Sequence, residues 1–366
     1  MSTYNIFRWA LALVILAMKP AFADPMLADF TYPFEVKRFD FTSQKQPLSM
    51  AYLDVAPKGE ANGDTVVLLH GKNFCAATWE ETINALSAAG YRVVAPDQIG
   101  FCKSSKPEQY QFSFEQLAFN TRALLQKIGV EHPIIMGHST GGMLAFRYAL
   151  MYPQETKALV VVNPIGLEDW KAKGVPLKMI DQLYQGELKT TADSIRDYEK
   201  KTYYAGEWKP EYDKWVAMLA SMYQGKDFDL FAWDQAHTTG MILSQPVVYE
   251  FGNINVPALL LIGAKDNTAI GKAWSPPEVV ARIGHYSELG PDTAKAIKGS
   301  IFVMDQPVQA ANLADRLKEA AAAGADERIY VRGANQVNYG KIAEVMSIIT
   351  AAGYKKVALV TDPNKN

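Results

Sequence analysis

A serine between glycines is the residue in this sequence best suited to covalent chemistry. Residues 137–142 read Gly-His-Ser-Thr-Gly-Gly, which fits the pattern G-x-S-x-G with Gly137 and Gly141 on either side of Ser139. The pattern is typical of a turn so sharp that larger flanking side chains would collide. A serine held there can attack an ester or acyl carbonyl, and the amide of Thr140 can bind the oxyanion that results. A glycine-rich turn without chemistry is the competing interpretation.

Such a turn needs a buried strand before it and a helix after it, and the sequence supplies both. Short apolar runs alternate with helical segments along the chain, which predicts a mostly parallel sheet with a ligand crevice at the carboxyl ends of its strands. The predicted strands are 65–69, 91–95, 133–136 and 159–162, the predicted helices are 78–89, 114–128 and 143–151, and an antiparallel hairpin of 34–41 and 48–55 precedes them.

Composition and the first residues indicate an exported globular protein. The chain has 366 residues, 49% of them hydrophobic, and a net charge of -2. It can therefore bury a large core, and no basic stripe indicates a nucleic-acid partner. Residues 1–23 are typical of a secretory signal, with Arg8 before the apolar run 9–18 and a small-residue cleavage pattern at 21–23. An uncleaved anchor is the alternative, but that run is too short to cross a bilayer. We expect a periplasmic or secreted protein without a membrane span in its mature chain.

The two cysteines, Cys75 and Cys102, each follow the end of a predicted strand. An oxidising compartment permits a disulfide between them if those strands are neighbours, whereas two buried free thiols are the equal alternative. No cysteine or histidine stands at metal-ligand spacing near either residue, so the sequence predicts no metal site there.

Four motifs follow one another along the chain, namely His70-Gly71, the turn 97–100 with Ser104, the serine turn 137–141, and Asp266 after the run 260–263. In this order they resemble the motifs of the α/β-hydrolases, and the resemblance covers residues 24 to about 298. The resemblance implies an α/β-hydrolase sheet with a helical lid, no cofactor and a small-molecule acyl substrate. It also implies an oxyanion hole made by the amides of Lys72 and Thr140, and esterase or lipase chemistry rather than that of the epoxide hydrolases.

By the same resemblance, Asp266 is the acid that orients a triad histidine. An aspartate after a strand also caps nearby amides for purely local reasons. The last strand of the family and its histidine are missing: after Asp266 there is only His285, which no strand-like run precedes, and His237 is a weaker candidate. A serine without a base beside it is a poor nucleophile at neutral pH, so the base stays unassigned, with His285 as the first candidate.

An insertion of helical character at about 166–243 predicts a lid over the crevice. Its aromatic side chains either wall an apolar substrate site or form the core of the lid itself, and we expect most of them to form core. They are Trp170, Tyr184, Tyr198, Tyr203, Tyr204, Trp208, Tyr212, Trp215, Tyr223, Phe231 and Trp233.

Residues 299–366 form a predicted β-α-β-α-β module, with strands at 300–305, 328–331 and 356–360 and helices at 309–322 and 339–352. Its stretches 301–305, 330–333, 339–346 and 352–361 resemble the periplasmic domain of the TolR and ExbD family. The resemblance implies self-association through the small sheet. The membrane helix of that family is missing, and Ala334 and Asn335 stand where it has an acidic residue. Motor function is therefore not implied.

The hydrolase-like part thus ends where the small module begins, which indicates either a natural fusion or a rearranged chimera. A sheet without its final strand would have an unpaired edge, unless a strand at Ile301 or Ile329 filled it.

Two functions remain open from the sequence. The first is an exported serine hydrolase with Ser139 as nucleophile, favoured by the intact serine turn. The second is a non-catalytic hydrolase-like domain fused to an envelope-interaction module, favoured by the missing histidine.

Overall fold

The computed structural model describes residues 27–225, 227–263, 266–297, 329–334 and 357–362. The predicted signal at 1–23 lies outside these residues, as do the predicted strand 300–305 and the predicted helices 309–322 and 339–352. Within the described ranges, no helix combines the length and the hydropathy needed to cross a membrane.

The described strands form a single mixed sheet with the order β1-β2-β4-β3-β5-β6-β7-β9-β8. The hairpin of β1 and β2 is antiparallel to β4, and every other neighbouring pair is parallel. This confirms the predicted fold class. The strands are β1 Val36–Ser43, β2 Gln46–Val55, β3 Thr65–Leu69, β4 Arg92–Pro96, β5 Ile134–His138, β6 Ala158–Val162, β7 Ala258–Gly263, β8 Ile329–Ala334 and β9 Val357–Asp362.

Helices cover both faces of this sheet, which explains why its central strands are continuous apolar runs. One core packs α2 and α3 against the sheet, and a second core on the other face includes α1 and the lid helix α6. The helices are α1 Glu80–Ala88, α2 Phe114–Lys127, α3 Thr140–Met151, α4 Ile180–Glu187, α5 Ala192–Thr202, α6 Asp213–Gln224, α7 Phe228–Ser244, α8 Pro277–Val280 and α9 Tyr286–Ala296.

The edge of the sheet beyond β7 is filled by strands from the C-terminal part of the chain. Strand β9 pairs with β7 in parallel, with Ile262 opposite Val360, and β8 pairs with the outer side of β9. Of the two strands that the sequence offers for this edge, the one at Ile329 joins the sheet as its outermost strand, and the one at Ile301 lies outside the described residues. Strand β9, the last in the sequence, lies between β7 and β8 and provides the backbone hydrogen-bond partners that β7 needs.

A disulfide joins Cys75 and Cys102, whose Cα atoms are 5.8 Å apart and whose side chains are fully buried. It connects the loop after β3 to the loop after β4. Asp97 reinforces the same connection, because its Oδ1 accepts a hydrogen bond from the Ala76 amide at 2.7 Å. The two loops are thereby fixed to each other at the carboxyl end of the sheet.

Replacing both cysteines with alanine is expected to lower the free energy of unfolding by about 3 to 4 kcal/mol, because the bridge closes a loop of 27 residues in the unfolded chain. The measurement is urea unfolding of the variant and of wild type, the latter with and without reductant. Reduced wild type should unfold like the variant. Two free thiols in wild-type protein denatured without reductant would contradict the bridge.

Candidate functional site

The turn that presents Ser139 is forced by close backbone packing. Ser139 lies between β5 and α3 with φ 55° and ψ -119°, a conformation that is strained for a residue with a side chain. A Cβ on Gly137 would lie 2.0 Å from the Gly141 carbonyl oxygen, and one on Gly141 would lie 2.1 Å from the Leu69 carbonyl oxygen. Only glycine fits at both positions, so the strand, the turn and the helix can meet.

Ser139 lines a cleft of about 830 Å³, a volume suited to a small ligand. Ser139 is half-buried, and its Oγ makes no hydrogen bond to any of the described residues. Its backbone is held instead: the Ser139 amide donates to Val162 O at 3.2 Å, and Ser139 O accepts from the Gly142 amide at 2.9 Å. The hydroxyl is therefore free to react while the turn that carries it is fixed.

The loop that precedes Cys75 runs beside this serine. A Cβ on Gly71 would lie 3.0 Å from the Ser139 Cβ, so the backbone before Lys72 is in close contact with the serine turn. His70 fixes this backbone, because its Nε2 accepts from the Gln98 amide at 3.0 Å and its Nδ1 donates to Gly71 O at 2.8 Å. The Thr140 amide is at the first residue of α3, where amide groups have no partner within the helix.

Asp266 lines the same cleft as Ser139. Burial raises the pKa of its carboxyl group above the usual value, while hydrogen bonds from the following loop counteract the shift. One of these is donated by the Thr268 amide to Oδ1 at 2.9 Å. Asn163, which follows β6, accepts a hydrogen bond from the Gly263 amide at 2.7 Å. This bond holds the end of β7, the strand that precedes Asp266. Asp266 thus stabilises its own loop and also presents a carboxylate to the cleft.

The five histidines of the sequence all belong to the described residues, and among them His138 lines the cleft. Burial lowers the pKa of His138 to about 4, and repulsion from His70 contributes to the shift. It is therefore uncharged at neutral pH and a weak base. His70 is buried and uses both ring nitrogens in the loop contacts, and His132 is exposed before β5, at the opposite end of that strand.

The two candidate bases from the sequence are not among the residues that line the cleft. His285 is exposed at the start of α9, and its Nε2 hydrogen-bonds Ala281 O at 3.0 Å. His237 packs against Phe112 and Trp233, with ring centroids 6.1 and 4.6 Å away.

The lid contributes one wall of the cleft, through Tyr203, Tyr204 and the lysines Lys200 and Lys201 at the end of α5. Most of the other lid aromatics pack on one another. Trp208, for example, packs edge-on against Tyr212 with ring centroids 5.6 Å apart.

Sequence reasoning missed several residues of the cleft, among them Asn163, Phe74 and the lysines Lys200 and Lys201. Asn163 had a usable signal, since it follows a predicted parallel strand as Ser139 does. No such signal marks Phe74, because an aromatic side chain in a loop lies in the protein core as often as in the wall of a cleft.

In the described part of the chain, one group of residues has the types and proximity of metal ligands, namely Cys75, Asp97 and Cys102. Both of its sulfur atoms are joined in the disulfide, and Asp97 accepts hydrogen bonds from Ala76, Tyr32 and Lys103. The sulfur atoms and the carboxylate are therefore already engaged by other groups of the protein, and this group of residues does not fit a metal ion.

Two family models match the chain. One, described as alpha/beta hydrolase fold, matches residues 64–274. The other, described as biopolymer transport protein ExbD/TolR, matches residues 288–364. These are the two families that the sequence motifs resemble.

Among solved structures, the chain is similar to a probable hydrolytic enzyme of Pseudomonas aeruginosa PAO1, with 56% identity and a TM-score of 0.75 over 81% of this chain and 95% of that one. Among curated proteins, it is 33% identical over 140 residues to a cis-3-alkyl-4-alkyloxetan-2-one decarboxylase of Xanthomonas campestris, which is 36% of this chain and 44% of the relative. It is 32% identical over 112 residues to epoxide hydrolase A of Mycobacterium tuberculosis, and the matched stretch is 30% of this chain and 35% of that relative. The chain spans less than half the length of these curated relatives.

Proposed function

The chain belongs to the alpha/beta hydrolase fold family, and from this premise we propose that it is a serine hydrolase of small or medium acyl esters. The observation that carries the proposal is the half-buried Ser139, strained at φ 55° and lining a cleft of about 830 Å³ that Asp266 also lines. In this proposal Ser139 Oγ attacks the acyl carbonyl, the alcohol leaves, and water hydrolyses the acyl-enzyme.

The amides of Thr140 and Lys72 stabilise the oxyanion of each tetrahedral intermediate. Two features support this role: Thr140 opens α3, and the backbone before Lys72 contacts the Ser139 turn. Donors that are fixed before the reaction begins stabilise developing charge without reorganisation.

The proton of Ser139 needs an acceptor, and the cleft offers a carboxylate but no imidazole of ordinary basicity. Since no histidine is placed for Asp266 to orient, we propose that the proton passes through water to the Asp266 carboxylate itself, which makes the unaided reaction slow. An imidazole added from outside is a better base and fits a cleft of this volume. It should therefore increase the rate.

Covalent labelling tests the proposal directly. The full chain is incubated with a fluorophosphonate probe at neutral pH, and the modified residue is identified by peptide mass spectrometry. We expect one adduct, on Ser139, and a labelling rate that rises about tenfold or more with added imidazole. Protein unfolded in urea, with the same imidazole, is the control and should take no label.

The second candidate is a non-catalytic hydrolase-like domain, favoured by the weak basicity of His138, which is the cleft's own histidine. Folded protein that takes no label, with or without imidazole, would establish it and refute the first.

We also propose that the protein is exported and is periplasmic or secreted. The signal-like residues 1–23 and the match to the ExbD/TolR family at 288–364 support this proposal. Self-association through the C-terminal part belongs to the same proposal. Sedimentation of the exported chain measures it, and a strictly monomeric protein would refute the self-association.

A further inference from the structure

The oxyanion loop, defined here as residues 70–75, is tied to the lid by a largely buried ion pair. Lys72 Nζ lies 2.7 Å from Glu187 Oε1, and the two side chains are only 17% and 15% exposed. Glu187 is the last residue of α4. A loop residue whose backbone is proposed to bind the oxyanion is therefore anchored to the lid through its side chain.

The Glu187 carboxylate also joins the lid helices to one another. Tyr223 of α6 donates its hydroxyl to Oε2 at 2.5 Å, and Thr239 of α7 donates to Oε1 at 3.4 Å. Three lid helices thus meet at the group that holds Lys72. Removal of either charge would leave the other buried without its partner, which favours opening of the lid so that water can reach it.

The neighbouring loop residues make the same connection. Asn73 Nδ2 donates to the Tyr203 hydroxyl at 3.2 Å, and the ring of Phe74 lies 5.4 Å from the ring of Tyr203. The next residue, Cys75, is bound to the loop after β4 by the disulfide. The loop is therefore held between the lid on one side and the sheet on the other.

We propose that Glu187 is a positioning residue of the oxyanion hole. Through Lys72 Nζ it holds the loop in the conformation in which the Lys72 amide points toward the oxygen that becomes charged. The inference rests on the proposed function, because it concerns the same reaction. The physical reason is that an oxyanion donor acts only when it is fixed close to that oxygen. The ion pair with Glu187 is the contact that fixes the Lys72 side chain, whereas the other contacts hold the residues before and after it.

Three variants test the ion pair, namely Lys72→Met, Glu187→Gln and the double variant, each assayed for the rate of fluorophosphonate labelling. We expect each single variant to label about tenfold more slowly, and the double variant to be no slower than either, because both substitutions remove one interaction. Lys72→Arg keeps the ion pair and should restore the rate to within about threefold of wild type.

The pair of Arg122 and Glu155 provides a matched control. Its nitrogen and oxygen are 2.6 Å apart, and it joins α2 to the segment after α3, away from the cleft. Arg122→Met and Glu155→Gln should leave the labelling rate unchanged. Equal rates for Glu187→Gln and wild type would overturn the inference.

Amide hydrogen exchange of the peptide that spans residues 70–75 separates this inference from the proposed function, because it needs no reaction. We expect exchange to be faster in Glu187→Gln and unchanged in Glu155→Gln. Unchanged exchange in Glu187→Gln would overturn the inference, even if labelling slowed. Wild-type protein that takes no label would refute the proposed function and with it the oxyanion role, whereas exchange would still decide whether Glu187 holds the loop.

Discussion

Replacing Ser139 with alanine is expected to reduce ester hydrolysis to below about one-thousandth of the wild-type rate and to abolish fluorophosphonate labelling. Every covalent step in the proposed reaction passes through Ser139 Oγ. The remaining donors can bind a substrate, but they cannot form an acyl-enzyme. The rate that remains in the variant measures what the oxyanion amides and the cleft contribute without the nucleophile.

The same substitution should hardly change stability. Ser139 Oγ has no hydrogen-bond partner among the described residues, so its removal leaves no buried group unpaired. The free energy of unfolding is expected to stay within about 0.5 kcal/mol of the wild-type value, as measured by urea denaturation.

Ser104 is the matched control, because it should show the opposite pattern. Its buried Oγ accepts from the Ala51 amide at 2.8 Å and donates to Asp97 O at 2.6 Å. Ser104→Ala is therefore expected to cost about 1 to 3 kcal/mol of stability while the Ser139 label is retained. Substantial hydrolysis by purified Ser139→Ala protein would show that a different residue is the nucleophile.

The parts of this molecule that the sequence predicts well are those with a local physical cause. The serine turn was predictable because steric exclusion at Gly137 and Gly141 dictates the residue type. The buried strand β3 was predictable at its observed bounds, Thr65–Leu69, because a parallel strand covered on both faces is apolar throughout. Such features can be inferred from a few neighbouring residues.

Features that depend on distant pairing were missed or left open. Nothing in the sequence around Glu187 distinguishes it from a solvated charge, and its contact with Lys72 spans 115 positions. The place of Val357–Asp362 beside β7 is likewise not predicted, since the sequence offers the strands at Ile301 and Ile329 for the open edge. The sequence leaves the disulfide open for the same reason, because the spacing of two cysteines does not show that their strands are neighbours.

Replacing Gly137 with alanine should have a large effect on both stability and activity. The added Cβ would lie 2.0 Å from the Gly141 carbonyl oxygen and 2.8 Å from the Gly142 amide nitrogen. These are backbone atoms, so no side-chain rotation relieves the overlap, and β5 must separate from α3. We expect a loss of about 4 kcal/mol or more, seen as a drop in Tm of about 10 °C or more.

Because the shift occurs at the turn itself, the folded fraction of Gly137→Ala should also lose its Ser139 label. Gly186→Ala is the control: Gly186 lies within α4, and an added Cβ would meet no atom within 4 Å. Alanine there should stabilise the helix by about 0.5 to 1 kcal/mol and leave labelling intact. If Gly137→Ala melted and labelled as wild type does, backbone contact at the serine turn would not be what positions the nucleophile.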